Sequence, residues 1–94
     1  MKIQVDVRQE HIDRGIKEDS RSCAIALALR DKNYTQVIVE DECTFVYEDT
    51  TWFASLPDEA LEFIETFDNG NTVEPISFEI LACTEEERYA DDCK

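Results

Sequence analysis

Apolar residues near the start of the chain first follow a two-residue period and then a helical one. Every second residue of Lys2–Val7 is apolar, which predicts a half-buried strand. Over Arg8–Glu18 the apolar residues recur at helical spacing, which predicts a helix that contains Gly15. Glycine weakens a helix by about 1 kcal/mol relative to alanine. We therefore expect Gly15 to lie where another segment approaches the helix closely.

The segment Cys23–Leu29 is apolar throughout and reads Cys-Ala-Ile-Ala-Leu-Ala-Leu. A helix with apolar residues on every face is buried on every face, so this segment predicts a central helix. Its alanines favour close contact with a sheet or with the first helix. Arg30 and Lys32 follow at the end of the helix dipole that favours positive charge, and Asn33 predicts the end of the helix.

The remaining two thirds of the chain predict three strands, a helix and one further strand. Tyr34–Glu40 and Cys43–Glu48 are rich in β-branched and aromatic residues and predict a hairpin, and Thr51–Ala54 predicts a short third strand. Leu56–Asp68 has apolar residues at helical spacing, with a proline in its first turn and a glycine after its end. Val73–Leu81 alternates again and predicts the last strand.

Together these elements predict an α+β fold with the order β-α-α-β-β-(β)-α-β. We expect a mainly antiparallel sheet of four to five strands with the helices packed on one face. Residues 1–82 form the predicted single domain, and residues 83–94 form an acidic C-terminal tail. Thr84 and Glu87 have the spacing of a capping box, so the tail carries the signal for a short helix.

The composition indicates one small folded domain without a cofactor. The chain has 94 residues, of which 43% are hydrophobic, too many for a disordered acidic segment. Two glycines cannot supply a glycine-rich phosphate loop. The four cysteines lack metal-ligand spacing, and a single histidine leaves any zinc site short of ligands. We predict no metal and no cofactor, and we expect all four cysteines to be reduced.

Charge divides the chain into two unequal parts. Residues 1–32 hold seven of the nine Lys+Arg and six of the 23 Asp+Glu, a net charge of +1. Residues 33–94 hold the other two basic and seventeen acidic residues, a net charge of −15, and no Lys or Arg occurs between Lys32 and Arg88. A one-sided field of this kind attracts some partners and repels others.

Two acidic clusters form the predicted partner-binding surface. On the third helix, acidic side chains three or four residues apart repel one another, and those near its C-terminal end oppose the helix dipole. A second cluster occupies the turn of the first hairpin. The predicted binding residues are Asp58, Glu59, Glu62 and Glu65 on the helix, and Glu40, Asp41 and Glu42 at the turn.

Three interpretations of these clusters stay open. The carboxylates can dock onto a basic surface of another protein. In a stricter form of that interpretation the carboxylates imitate the phosphates of a duplex, which carry one charge per ~1.7 Å of helix axis. They then block the groove with which another protein binds nucleic acid. In the third they only keep a small protein in solution. We predict no direct binding of nucleic acid. The long stretch without a basic residue favours a binding role, because a solubilising surface usually mixes charges.

An apolar surface is the alternative binding site. Trp52 and Phe53 are adjacent, so one of them points away from the core side of a strand. In this alternative the protein is an adaptor or regulator that binds a partner through the apolar-aromatic surface of Trp52, Phe53 and Tyr47, and its charge serves solubility alone. A homodimer is a further alternative, in which the acidic helix of one copy meets the basic N-terminal third of another.

Catalytic and membrane-related functions lack a signature in this sequence. His11 is the only histidine and no nucleophile motif accompanies it, so we predict a protein that is not an enzyme. The longest apolar run is Cys23–Leu29, much shorter than the roughly 20 residues needed to span a bilayer. The alternating N-terminus also lacks the apolar segment of a signal peptide. We expect no membrane partner and a cytoplasmic location.

The pattern His11-Ile12-x-x-Gly15, followed by the apolar segment Cys23–Leu29, resembles the N-terminal pattern of small uncharacterised proteins of bacteriophages and bacteria. The resemblance covers residues 11–29 only. It implies a short accessory protein of phage type that acts on a host protein in the host cytoplasm. It also implies an inhibitor of host nucleic-acid machinery, such as restriction, CRISPR or transcription enzymes, and it assigns no role to any residue.

Overall fold

A computed structural model of the chain describes residues 1–90 and has the predicted α+β class. Up to β5 the elements follow the predicted order, with the third strand of the central meander fully formed, and α4 is the short helix that the capping box of the tail indicates. The elements are β1 (Lys2–Val7), α1 (Gln9–Arg14), α2 (Ala24–Arg30), β2 (Thr35–Val39), β3 (Glu42–Tyr47), β4 (Thr50–Ser55), α3 (Asp58–Asp68), β5 (Ile76–Thr84) and α4 (Glu85–Tyr89).

The strands form one antiparallel sheet in the order β1-β5-β4-β3-β2. Strands β2, β3 and β4 are a meander, and β5 then lies between β4 and β1. A bulge between Thr35 and Ile38 interrupts β2, and Gln36 within it has a φ of 49°. Because β2 is an edge strand, this bulge protects it from pairing with other chains.

One face of the sheet carries the core. Cross-strand pairs such as Ile3 with Ile80, and Ala54 with both Cys43 and Ala82, place the buried residues of all strands on the same side. Burial of these side chains is the main favourable term in folding. The strand residues of the core are Ile3, Val5, Val7, Val37, Val39, Cys43, Phe45, Ala54, Phe78, Ile80 and Ala82.

Helices α1, α2 and α3 cover this face. Helix α2 contacts β1, β2 and α1, and its alanines are buried, so the predicted central helix is confirmed. Helix α3 instead packs through large side chains, with the rings of Phe63 and Phe67 stacked 6.1 Å apart. Small residues let α2 approach the sheet closely, whereas α3 stands further from it and leaves room for a cleft.

Gly15 sets the end of the first helix. The sequence predicted a helix to Glu18, but α1 ends at Arg14 and Gly15 is extended, with φ −66° and ψ 147°. A Cβ at Gly15 would lie 2.8 Å from the backbone N of Ala24 and 2.9 Å from Cζ of Phe67. The close approach expected at this glycine is therefore confirmed. Ile16, beyond the helix, is 55% exposed and does not join the core.

Helix α4 lies on the opposite face of the sheet. The predicted capping box forms, because Thr84 Oγ1 accepts the N–H of Glu87 at 3.3 Å and Glu87 Oε1 accepts the N–H of Thr84 at 2.9 Å. Helix α4 contacts β4 and β5, and the guanidinium of Arg88 lies 4.5 Å from the ring centre of Phe53. Phe53 neighbours the core residue Ala54 along β4 and so points to the other side.

The cysteines differ in state. Cys23 and Cys43 are buried free thiols, and burial raises the pKa of both, that of Cys43 to about 12, which disfavours the thiolate form. Cys83 is disulfide-bonded, so the expectation that all four cysteines are reduced is wrong. Disulfides are rare in a reducing cytoplasm, which counts against the predicted location. The predicted exposed thiol Cys93 and the acidic pair Asp91-Asp92 lie outside the described residues.

None of the helices within residues 1–90 is long and apolar enough to cross a membrane.

Candidate functional site

A cleft of about 690 Å³ opens between α3 and the start of α2. Three segments that are distant in sequence form it: the loop before α2, the turn between β2 and β3, and one side of α3. Its floor is apolar and consists of Cys23, Val39, Leu61 and Ile64. Cavities of roughly 300–1,000 Å³ with apolar linings and a few polar groups are the usual form of binding sites.

Acidic residues form the rim of this cleft. They come from all three segments and comprise Glu18, Asp19, Glu40, Asp41, Glu65 and Asp68. Among residues 1–90, no lysine or arginine lines the cleft. Carboxylates of one sign around a low-dielectric floor concentrate a negative potential there. The cleft therefore attracts cations and repels anions.

Backbone hydrogen bonds hold the walls of the cleft together. The N–H of Val39 donates to the carbonyl O of Ser20 at 2.7 Å, which joins β2 to the loop before α2. The N–H of Glu18 donates to Asp68 Oδ1 at 2.9 Å, which joins the same loop to the end of α3. Glu18 is in the left-handed region, with a φ of 57°, and this turn points its N–H at α3. The cleft is thus formed before any ligand arrives.

The rim carboxylates divide into structural and unengaged groups. Asp68 accepts the bond from Glu18, and Asp19 Oδ1 accepts the N–H groups of Arg21 and Ser22 at 2.9 and 3.1 Å. The side chains of the other four make neither a hydrogen bond nor an ion pair with any residue in 1–90. The unengaged carboxylates are those of Glu18, Glu40, Asp41 and Glu65. Only these four are available to a ligand at no cost to the fold.

The structure brings together some of the sequence-predicted binding residues and separates others. Glu40, Asp41 and Glu65 share the rim of the cleft. Asp58, Glu59 and Glu62 are exposed on α3 but do not line the cleft. Glu42 lies elsewhere, paired with Arg88 on α4 at 3.3 Å. The predicted acidic surface is therefore two neighbouring surfaces, the cleft rim and the outer side of α3, from which Glu42 is excluded.

Trp52 is not an outward anchor. It is half-buried, packs against the core, and its Nε1–H donates to the carbonyl O of Tyr47 at 3.4 Å. Phe53 lies on the opposite face of the sheet beneath Arg88, and Tyr47 packs edge-on against Tyr34, with ring centres 5.2 Å apart. The three aromatic residues of the alternative binding surface do not form one exposed patch.

Sequence reasoning missed Glu18, Asp19 and Asp68 as members of the site. The sequence predicts a helix that continues to Glu18, whereas α1 ends four residues earlier, so Glu18 and Asp19 lie on a loop instead. The only available signal was the approach of other segments to Gly15, which implied that the loop after α1 lies close to another element. The apolar floor was also missed, because Ile64 fits the helical spacing of apolar residues that indicates the core side of α3.

His11 is buried, 1% exposed, and has a structural role. Its Nδ1 accepts the N–H of Arg8 at 2.9 Å, and its Nε2 lies 2.5 Å from Asp31 Oδ2. An Nδ1 that accepts a hydrogen bond leaves the proton on Nε2, which donates to Asp31. That hydrogen bond holds the pKa of the Asp31 carboxyl below its usual value. Both ring nitrogens are thus engaged, and neither is free for proton transfer to a substrate.

The cluster Glu10, His11 and Asp31 has three groups that ligate metals, with ligand atoms within 4.8 Å of one another. A metal on Nε2 requires the other ring nitrogen to donate its proton to a neighbour. In this structure Nδ1 faces the N–H of Arg8 and accepts from it. A neutral imidazole cannot satisfy both demands, so the hydrogen bonding does not fit a metal site.

Comparison with protein-family models, with curated proteins and with solved structures finds no match to this chain.

Proposed function

We propose that this protein is a non-enzymatic binding protein that engages a basic surface of another protein. The acidic cleft rim and the outer side of α3 make the contact. Following the resemblance at residues 11–29, the partner is a host protein and the chain is an accessory protein of phage type. The observation that carries the proposal is the cleft, whose rim holds four carboxylates without partners among residues 1–90.

The acidic residues of α3 lower the stability of the protein, and this supports a binding role. Helix α3 has two acidic residues in its first turn, where they are favourable, but no basic residue in its last turn. Glu65 therefore opposes the helix dipole and adds to the repulsion among its acidic neighbours. A surface that serves solubility alone gains nothing from this placement. Complementary charge on a partner offsets the repulsion and speeds association.

Inhibition of nucleic-acid machinery is the narrower form of the proposal. A protein with a net charge of −14 is repelled by nucleic acid but attracted to the basic grooves that bind it. The chain then competes with the nucleic acid for one surface of the partner. This form predicts that duplex DNA displaces the protein from its partner.

Affinity capture with charge-reversed variants tests the proposal. The immobilised protein is incubated with host lysate at low salt, about 0.05 M, and washed at about 0.5 M, where screening is nearly complete. We expect a specific partner that elutes with salt and that is lost when Glu62→Lys and Glu65→Lys are combined. The matched control combines Glu85→Lys with Glu86→Lys, an equal change of charge on α4, which lies on the opposite face of the sheet.

Three results of this capture are informative. Equal retention by the α3 variant and the α4 control contradicts the proposal, because the contact then does not depend on the acidic surface. Retention that 0.5 M salt does not weaken at all contradicts it as well. Displacement of the partner by duplex DNA supports the narrower form, and resistance to DNA restricts the proposal to docking on a basic surface outside any nucleic-acid groove.

A further inference from the structure

We propose that the cleft seats a short segment of the partner protein in which apolar side chains are flanked by lysine or arginine. This inference rests on the proposed function and adds the chemistry of the recognised element. It gives the two acidic surfaces different roles. The cleft binds a specific segment, and the outer side of α3 contributes only long-range electrostatic attraction.

The apolar floor is the first argument. Helix α3 turns Ala60, Phe63 and Phe67 into the core, whereas Leu61 and Ile64 are only half-buried and lie along the cleft. Cys23 and Val39 complete the floor. A site that bound a flat basic surface through charge alone would have no use for this apolar strip. Apolar side chains of a partner would bury it and remove it from water.

The position of the carboxylates is the second argument. Glu18 lies on the loop wall, Glu40 and Asp41 on the turn between β2 and β3, and Glu65 on the α3 wall. Unengaged negative charge thus stands on every wall around the apolar floor. A ligand that matches this arrangement has an apolar centre with cationic groups on its sides. Lysine and arginine satisfy this arrangement because their long stems reach past the anchored residues to the rim.

The formed state of the cleft is the third argument. The hydrogen bonds from Val39 to Ser20 and from Glu18 to Asp68 fix its walls relative to one another. A preorganised site avoids the cost of ordering the protein on binding. Small inorganic cations would use the rim but not the floor, and nucleic acid would be repelled by the rim. A peptide segment that carries both apolar and basic side chains uses the rim and the floor together.

Two fluorescein-labelled peptides test the inference by fluorescence anisotropy at about 0.15 M salt, where charges are screened beyond ~8 Å. The first has two adjacent leucines flanked on each side by two lysines. The second replaces both leucines with serine and keeps every charge. We expect the leucine peptide to bind at least about tenfold more tightly, because burial of its side chains is the difference between them.

Two single variants of α3 locate the binding site. Glu65→Lys places the opposite charge on the cleft wall, and we expect it to weaken the leucine peptide roughly fivefold. Asp58→Lys makes the same change seven residues earlier on α3, outside the cleft and about 10 Å along the helix axis, so we expect less than about a twofold loss because of screening. Both residues are exposed, so neither change disturbs the core. Ile64→Ser tests the floor directly, with circular dichroism as the check on folding.

The outcomes separate this inference from the proposed function. Equal affinity for the leucine and serine peptides overturns the inference, and so does equal weakening by the two charge reversals. In either case the proposed function stands as long as the captured partner is lost with the paired α3 variant. A third outcome contradicts the proposed function but not the inference. In it, the α3 and α4 variants capture the same proteins, while the leucine peptide still binds more tightly than the serine peptide. The chain then has a peptide-binding cleft without a basic protein partner.

Discussion

His11 shows how one buried side chain can hold two helices together. It lies in the first turn of α1, accepts the N–H of Arg8 at the helix start, and reaches Asp31 at the end of α2. One buried ring thus satisfies a helix N-terminus and joins two helices. The sequence shows no nucleophile motif beside this histidine, and in the structure both of its ring nitrogens take part in hydrogen bonds. The partner Asp31 was not foreseen, because it lies twenty residues away in the chain.

Replacing Asp31 with asparagine should make the stability of the protein less dependent on pH. At pH 7, Asp31→Asn should lower the free energy of unfolding by about 1 kcal/mol, since a hydrogen bond to a half-exposed carboxylate becomes a neutral one. The pKa of Asp31 is lowered in the folded state by His11. Its stabilising contribution is therefore present above the unfolded value of about 3.9 and is lost as the pH falls through the folded pKa.

Urea unfolding followed by circular dichroism at pH 7 and at about pH 3 measures this effect. The free energies of unfolding of the unchanged protein and of Asp31→Asn should differ at pH 7 and become more similar at low pH. Asp41→Asn is the control, because this carboxylate has no hydrogen-bond or ion-pair partner within residues 1–90. A difference that stays the same at both pH values would show that the charge of Asp31 is not the cause.

Helix α3 is the element that links stability to the candidate site. One side of it closes the core and another lines the cleft. Its acidic residues differ in how favourably they interact with the helix dipole. Asp58 lies at the helix N-terminus, where negative charge is favourable, and Glu65 lies near the C-terminus, where it is not. Charge reversal at these two residues is therefore expected to change the free energy of unfolding in opposite directions.

Glu65→Lys should raise the free energy of unfolding by about 0.5 kcal/mol, because it relieves repulsion along α3 and places positive charge near the helix C-terminus. Asp58→Lys reduces the net charge by the same amount but should lower stability by a similar amount. Urea unfolding of both variants at low salt measures the difference. If both variants shift stability in the same direction, net charge and not helix position controls the effect. The stabilised Glu65→Lys protein should nevertheless bind its partner more weakly.

Most elements were predictable because each has a strong local period, but their ends were not. The helix predicted to Glu18 stops at Gly15, where the start of α2 and the ring of Phe67 leave no room for a side chain. The last strand, expected over Val73–Leu81, begins after Pro75 and continues to Thr84. Proline has no N–H to donate to a sheet hydrogen bond, so the strand begins after it. At the other end, pairing with β1 and β4 extends the strand.

The whole molecule carries a net charge of −14 on 94 residues, so its compact state repels itself. Sodium chloride should therefore raise stability by an amount on the order of 1 kcal/mol between low and about 0.5 M salt. The same salt should weaken binding to a basic partner, which gives the two properties opposite responses.

Thermal and urea unfolding at several NaCl concentrations measure the stability response. The combined Glu62→Lys and Glu65→Lys variant is the internal control, because a smaller net charge should give a smaller gain from salt. An equal gain in both proteins would indicate that salt acts through general solvent effects and not through charge repulsion.

The sequence by itself determined the α+β class, the central apolar helix, the antiparallel meander and the concentration of acid beyond Lys32. These features depend on the local periods of apolar residues and on composition, which neighbouring residues carry. Only the tertiary structure decided that Glu40 and Asp41 meet Glu65, that Glu42 does not, and that Leu61 and Ile64 line a cleft. That assembly depends on the distance of α3 from the sheet and on two backbone hydrogen bonds between segments far apart in the chain. Neither has a counterpart in any local pattern.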